Sequence, residues 1–298
     1  MKNKHIYFWT CDNSSRTGEG RLAFLFINDL KKKFKLTKIK IPNSKIGLLD
    51  KFMKYKYVIP FVGIIYCWKK FLSNRKVYYI NYLPFWNFLI FALLPPNTKI
   101  GPITGGARYN ENTNMIRKVI FPILYFLSEI IVNLRNFDLV FSTDLLKKKL
   151  SKETVKKSEF NYILKKFNHI KKKRIKKTID FLIYFRKNNN KTTNFPYKFI
   201  KKLLSRGFSV NIVGDKLNIP KIINHGKISS FKISKLQAKA KFTIYSHENI
   251  YSLFTLECIT NNVYVLIDKL YNDKINYFKK NFIKIDFNSF KEFNRLKK

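Results

Sequence analysis

Two pairs of side chains in the second half of the chain have the types and spacing for chemistry. Glu248 and Glu257 lie in the stretch Ser246-His-Glu-Asn-Ile-Tyr-Ser-Leu-Phe-Thr-Leu-Glu-Cys258, and Arg186 and Lys191 stand five residues apart behind the apolar run Asp180 to Phe185. A carboxylate held near a reacting centre offsets positive charge as it develops, and two cations on one loop suit an anionic group. Each pair also has an ordinary reading. An isolated helix Glu is usually solvated, and in a chain this basic a cationic pair is usually a solvated turn.

The elements that would position these residues follow from periodicity. Lys241 to Tyr245 and Val263 to Ile267 are short β-branched and aromatic runs, and between them Leu253, Leu256, Ile259 and Thr260 mark a helix, so the segment reads strand, loop, helix, strand. Such a unit places the loop and the helix N-terminus at the carboxyl edge of a parallel sheet, where open α/β folds bind ligands. Glu248 then falls in the loop and Glu257 about two turns along the helix. Phe195 to Leu204 and Ile233 to Ala240 read as helices, and Val210 to Val213 as a strand ending at Gly214-Asp215, with Gly226 after a short loop. Phe282 to Phe287 predicts a further strand and Ser289 to Leu296 a terminal helix. Strand and helix in alternation predict a doubly wound domain.

The first half opens the same way. His5 to Thr10 predicts a strand, Cys11 to Gly20 a loop, and Leu22, Phe24, Leu25, Ile27 and Leu30 one face of a helix. Gly18 and Gly20 would let a ligand approach the backbone, and the helix N-terminus would offer free amides to an anion. Phe34 to Ile41 and Lys76 to Tyr82 are predicted strands, and Phe85 to Leu94 is a helix stopped by Pro95-Pro-Asn. A strand from Thr98 to Gly101 runs into Gly101-Pro-Ile-Thr-Gly-Gly106, either a tight turn or a site of close approach. Met115 to Leu134 carries a helical apolar stripe with further apolar residues on its other faces; a buried helix is the first reading, and a membrane-lying one, with Arg117 and Lys118 at its start, the second. Phe137 to Ser142 predicts a buried strand, followed by a helix from Leu145. The composition turns Lys-rich from Lys147 to Lys177, which predicts a domain at 1–150, a basic connection at 151–178 and a second domain at 179–298.

The 298 residues carry 60 Lys and Arg against 18 Asp and Glu, a formal charge of +42. That surplus implies an anionic environment, although the abundance of Lys, Asn, Ile, Phe and Tyr is also the composition of an AT-rich genome. The lysines are spread along the chain, and no zinc-finger, aromatic RNA-binding or helix-turn-helix pattern accompanies them, so nucleic acid is not the expected partner. An acidic lipid surface fits diffuse charge better. Cys11, Cys67 and Cys258 have no metal-ligand spacing or pairing logic, which predicts a reduced cytoplasmic setting. Only Ile6 to Trp9 follow the first charged residues before a polar loop, predicting no signal peptide. No apolar run reaches spanning length, and no Gly-x-Ser-x-Gly elbow supports a Ser, His, Asp hydrolase.

Ser246 to Ile267 resembles the nucleotide-sugar segment of retaining GT-B glycosyltransferases, the large fourth family above all, in which two glutamates stand eight residues apart before a small-residue helix. Glu257 matches the second; eight residues before it stands Asn249, and the carboxylate is its neighbour Glu248. The resemblance extends to Arg186 with Lys191, Gly214-Asp215, Gly226, and the Gly-Pro-x-x-Gly-Gly of bacterial polysaccharide glycosyltransferases at Gly105-Gly106. It departs from the family in lacking a histidine in the loop after Gly106. The resemblance implies two Rossmann-like domains facing a central cleft, with Gly18, Gly20, Gly105 and Gly106 in cleft loops. Glu248 is the implied catalytic residue beside the transferred sugar. Arg186 and Lys191 would hold the donor diphosphate without a metal, and Glu257 the donor ribose, with Gly214, Asp215, Gly226, Asn249, Tyr251, Ser252 and Leu253 completing the donor site. The implied partners are a nucleotide-sugar donor, which is a substrate rather than a cofactor, a saccharide or lipid-linked acceptor of bacterial surface polysaccharide synthesis, and the inner face of the plasma membrane. A phosphorylase or epimerase on the same fold, and a non-catalytic binding protein that keeps it, are the alternatives.

Overall fold

The computed structural model describes residues 5–14, 18–39, 58–81, 83–103, 115–167, 175–187, 195–246, 249–271 and 274–289. The chain divides into two compact units, Met1–Tyr162 and Ile163–Lys298, and each is built on a six-stranded sheet. Every strand pair in both sheets is parallel. These are the two doubly wound α/β units that the sequence predicts.

In the first unit β1 (His5–Trp9), β2 (Lys35–Lys38), β3 (Lys76–Tyr79), β4 (Lys99–Ile103), β5 (Asp138–Phe141) and β6 (Ser158–Glu159) are ordered β2-β1-β3-β4-β5-β6. Parallel strands covered on both faces read as continuous apolar runs, and Val77 to Ile80 are all buried. On one face α1 (Gly18–Lys33) packs Ala23, Phe26, Ile27 and Leu30 against Ile6, Phe8, Tyr78 and Val140. On the other, α2 (Ile59–Leu72), α3 (Phe88–Leu93) and α4 (Met115–Leu134) bring Ile64, Cys67, Ile90, Phe91, Tyr125 and Val132 onto Val77, Tyr79, Ile100, Leu139 and Phe141. Phe141 is fully buried in this layer, its ring 5.6 Å from that of Phe85 and stacked at 4.9 Å on that of Phe160. After β5 comes α5 (Lys152–Lys156), capped by the Ser151 hydroxyl on the Thr154 amide, and the unit ends at Tyr162, the first residue of α6 (Tyr162–Phe167), whose hydroxyl donates to Asp29 at 2.8 Å.

In the second unit β7 (Ile179–Phe185), β8 (Val210–Gly214), β9 (Ile223–Gly226), β10 (Ala240–Ile244), β11 (Tyr264–Asp268) and β12 (Phe282–Ile285) are ordered β12-β11-β10-β7-β8-β9. The chain winds outward through β8 and β9, then returns to the far side of β7 for β10, so the order reverses between β7 and β10. One face is covered by α7 (Tyr197–Ser205), whose Phe199, Ile200 and Leu203 meet Phe181, Ile183, Val210 and Ile212. The other carries α8 (Ser230–Lys239) and α9 (Leu253–Thr260) above Leu182, Val213 and Ala240. At the amino edge Asp180 ties three strands together, accepting from the Ser209 amide and hydroxyl at 3.0 Å each and from Lys241 at 2.9 Å. Burial alone would raise its carboxyl pKa, but these donors hold it below the ordinary 3.8.

Several expectations are corrected. The predicted connection at 151–178 contains α5 and β6, and β6 pairs with β5 to complete the first sheet, with the division falling after Tyr162. Lysine density misled here, because exposed Lys residues decorate a short helix as readily as a linker. A 3₁₀ turn at Lys147–Lys149 replaces the helix expected from Leu145. The helix α2 and the strands β6 and β9 were not predicted; α2 has Pro60 in its first turn and lysines in its last, whereas β6 and β9 are too short to show a period. The strand expected to stop at Gly101 runs through Ile103, with Gly101 abutting the Val140 backbone, and Gly105 and Gly106 lie outside the described residues. The terminal helix expected from Ser289 also falls there from residue 290 onward. Finally, α4 is not buried all round, since Ile123, Phe126 and Leu134 are among its exposed residues. No helix among the described residues is long and apolar enough to cross a membrane.

Phe141→Ala should destabilise the protein by about 3–5 kcal/mol, because the cavity opens between the rings of Phe85 and Phe160 and the sheet. The exposed Phe24→Ala should stay within about 0.5 kcal/mol. Urea midpoints at unchanged slope check both.

Candidate functional site

The site lies at the carboxyl edge of the second sheet, where the strand order reverses between β7 and β10. Open α/β sheets bind their ligands at this edge, and the residues there are charged on one side and capping on the other.

On the β7 side the chain leaves the sheet at Phe185 and presents Arg186 and Lys187 to solvent. Gly214, at the end of neighbouring β8, has φ +107° and lies so close to the Phe185 carbonyl that a Cβ would collide with it. That approach lets the Asp215 amide donate to the Phe185 carbonyl at 2.9 Å while its carboxylate accepts from the Lys187 amide at 2.8 Å. The other carboxylate oxygen pairs with Lys227 at 2.9 Å, just past Gly226 at the end of β9. Lys227, the Lys187 amide and the nearby Arg186 hold the Asp215 carboxyl below its ordinary 3.8. Asp215 thus shapes a cationic turn of Arg186, Lys187 and Lys227 and neutralises only part of it.

On the β10 side, the Tyr245 amide bonds the Leu266 carbonyl and keeps the exit of β10 on the sheet. Asn249 accepts from the Tyr251 amide at 2.9 Å, and its carbonyl from the Ser252 amide at 3.0 Å, which forms the turn into α9. Ser252 is the N-cap: its hydroxyl accepts from the Thr255 amide at 3.2 Å. No carbonyl within the helix reaches the amides of Leu253 and Phe254, so the positive end of the helix dipole points at the sheet edge. Tyr251 is buried, and its hydroxyl accepts from the amides of Asn276 and Tyr277 at 3.2 and 3.1 Å, so this side chain braces the loop before β12. The Phe254 ring lies 5.6 Å from that of Tyr184, which couples the first turn of α9 to β7.

Glu257 sits one turn into α9, not two, and is 6 % exposed. One carboxylate oxygen accepts from Gln237 of α8 at 3.4 Å, and Gln237 also reaches the Phe254 carbonyl at 3.4 Å. A carboxylate in this position is not the solvated helix Glu of the ordinary reading, because burial of a charge is costly unless it is held. The Cys258 thiol beside it is pushed up by its own burial and by the Glu257 charge.

Of the residues predicted from sequence, the fold brings Arg186, Gly214, Asp215, Gly226, Asn249, Tyr251, Ser252, Leu253 and Glu257 to the edge loops and helix of one sheet. Lys191 and Glu248 lie outside the described residues. Gly18 and Gly20 belong to the first sheet's unit and form the first turn of α1 rather than a loop. The close approach at Gly20 is that of the Asp12 carboxylate, 2.6 Å from where a Cβ would stand. Gln237, Lys187 and Lys227 were missed. Gln237 had a legible signal, one amide on the inward side of a predicted helix, whereas nothing separates Lys187 and Lys227 from the other lysines in sequence. Among the described residues no three His, Cys, Asp or Glu side chains gather as metal ligands would.

No protein-family model matches the chain, and no curated protein matches it. Among solved structures it is similar to the E. coli heptosyltransferase WaaC with ADP-2-deoxy-2-fluoro heptose, at 10 % identity over 99 % of this chain and 100 % of that one, with a TM-score of 0.38. It is also similar to the glycotransferase of kitacinnamycin, at 10 % identity over 97 % of this chain and 88 % of that one, with a TM-score of 0.45.

Because the folded pKa of Asp215 is depressed, its contribution to stability is complete above the unfolded value and is lost as pH falls through the lower, folded value. Urea midpoints should therefore decline as pH falls through and below the ordinary carboxylate value of 3.8, and Asp215→Asn should lower the neutral-pH midpoint while flattening this acid limb.

Proposed function

We propose that the protein is a glycosyltransferase that takes a sugar from a nucleotide-sugar donor, held by the second unit, and passes it to a saccharide or lipid-linked acceptor at the cytoplasmic face of a bacterial membrane. The observation that carries this reading is the pairing, at the switch point of one parallel sheet, of a cationic turn on β7 with a capped helix N-terminus after β10. Both halves favour a diphosphate, and the buried Glu257 stands one turn deeper.

In this reading Arg186 and Lys191, with the first amides of α9, hold the diphosphate and stabilise the charge that grows on it as the sugar departs, so two side-chain cations do what a metal does elsewhere. Lys187 and Lys227 add to the same field. Glu257 accepts from the donor ribose hydroxyls and Gln237 orients it. Glu248, by the resemblance alone, offsets positive charge at the anomeric carbon of the transferred sugar. The resemblance to retaining GT-B enzymes supplies the expected anomeric outcome.

A non-catalytic nucleotide-sugar-binding protein is the second reading, and the role of Asn249 favours it. The residue eight before Glu257 spends its side chain on the Tyr251 amide, forming a turn where the family has a carboxylate.

Glu257→Gln should weaken donor binding by about 1–3 kcal/mol and leave the melting curve in place, since a charge-assisted pair becomes a neutral one. Arg186→Ala with Lys191→Ala should cost roughly 2–4 kcal/mol of nucleoside diphosphate affinity by calorimetry. Glu248→Gln should bind donor normally and turn over slowly. Wild-type binding and turnover in all three variants would remove the site. Wild-type protein that binds donor but neither transfers nor hydrolyses it would establish the second reading.

A further inference from the structure

We infer that the outer surface of α2, α3 and α4 is the face on which this protein lies against an anionic lipid bilayer, an inference that rests on the membrane setting of the proposed function and names the surface that creates it. The sheet side of α4 presents Tyr125, Ser128 and Val132, all buried. Directly opposite, at helical spacing, Ile120, Ile123, Leu127, Ile130 and Leu134 are exposed, Leu134 to 80 %. The neighbouring helices continue the surface with Ile65 and Leu72 of α2 and Leu89 and Leu93 of α3. Of the nineteen large apolar side chains that are exposed among the described residues, twelve belong to these three helices.

The surface is one body. The Trp68 indole of α2 donates to the Leu93 carbonyl at 2.7 Å, the Arg135 guanidinium just past α4 donates to the Leu94 carbonyl at 2.7 Å, and the Trp86 and Phe121 rings stack at 5.2 Å. A concentration of apolar surface like this marks an interaction site rather than the scattered exposure of a monomer's skin.

Charge decides the occupant. Between Asp50 and Glu111 the sequence holds nine Lys and Arg and no Asp or Glu, and α2 and α3 both fall inside that interval. Lys69, Arg75 and Lys76 are exposed around Leu72 at the end of α2. The single acid of α4, Glu129, lies to one side of the apolar stripe and accepts from the Ser151 amide at 2.7 Å. A second copy of the chain would press this cationic rim against its own charge. An anionic bilayer supplies both an apolar layer for the helix stripe and countercharge for the rim, as for helices that lie in the interface plane.

The test is flotation on vesicles of equal parts phosphatidylcholine and phosphatidylglycerol. Wild-type protein should float, and the triple variant Ile123→Glu, Phe126→Glu, Ile130→Glu should partition about tenfold less or worse while melting no lower than wild type. A conservative pair gives an independent reading: brominated lipid should quench the fluorescence added by Phe126→Trp but not that added by Phe231→Trp, which is on exposed α8 of the second unit. A triple variant that floats like wild type, or equal quenching at both positions, would overturn this face while leaving membrane binding itself intact. Wild type that does not float would overturn the membrane setting, and with it this inference. A wild-type dimer in light scattering that the triple variant turns into a non-floating monomer would assign the face to a second copy instead. Nucleoside diphosphate affinity, measured on the same variants, should be unchanged, so the outcome here is separable from that of the donor site.

Discussion

The arrangement of the second unit depends on one close approach, that of Gly214 to the carbonyl of Phe185. Only a residue without a Cβ, at positive φ, fits there, and its fit places Asp215 where it can bond the last carbonyl of β7 and the amide of Lys187 together. The cationic turn is therefore held by backbone bonds from its neighbouring strand rather than by its own side chains. Arg186 and Lys187 remain exposed, and the carboxylate that orders them is committed to Lys227 on its other oxygen. A field built this way is preorganised: its charges are in place before an anion arrives, and little reorganisation is left for binding to supply.

Opposite that turn, α9 performs a complementary task with neutral groups. Its cap, its Asx turn and the bracing of Tyr251 all fix backbone, so the helix dipole is aimed by hydrogen bonds that involve no carboxylate and no cation. The one carboxylate in the helix is kept back from the edge and held by Gln237. Cations at the strand end and an acid set deeper fit a ligand that is anionic at one part and rich in hydroxyls at another.

The first unit solves a different problem. Its sheet is as thoroughly buried as the second, yet the three helices on one face of it turn apolar side chains outward, which costs solubility unless something covers them. The large positive charge of the chain offsets that cost by keeping copies apart. The combination is intelligible in a protein that must stay dispersed and still settle on a surface.

Much of this was present in the sequence. Short apolar runs separated by helical periods determine two doubly wound sheets, because period and run length are local properties that the sheet merely uses. The helix marked from Leu253, the strand end at Gly214-Asp215 and the cations after Phe185 were legible for the same reason: each acts within a few residues of itself. Tertiary structure alone decided the rest. Whether α4 is buried or exposed depends on which of two apolar faces meets the sheet, and a helix apolar on both sides does not say. That Glu257 is held by Gln237 and that Asp215 pairs with Lys227 rather than any other lysine are matters of which segments the strand order places side by side. Sequence determined the pieces and their local ends; the crossover from β9 back to β10 decided which of those ends share an edge, because proximity across a sheet is set by strand order and not by separation along the chain.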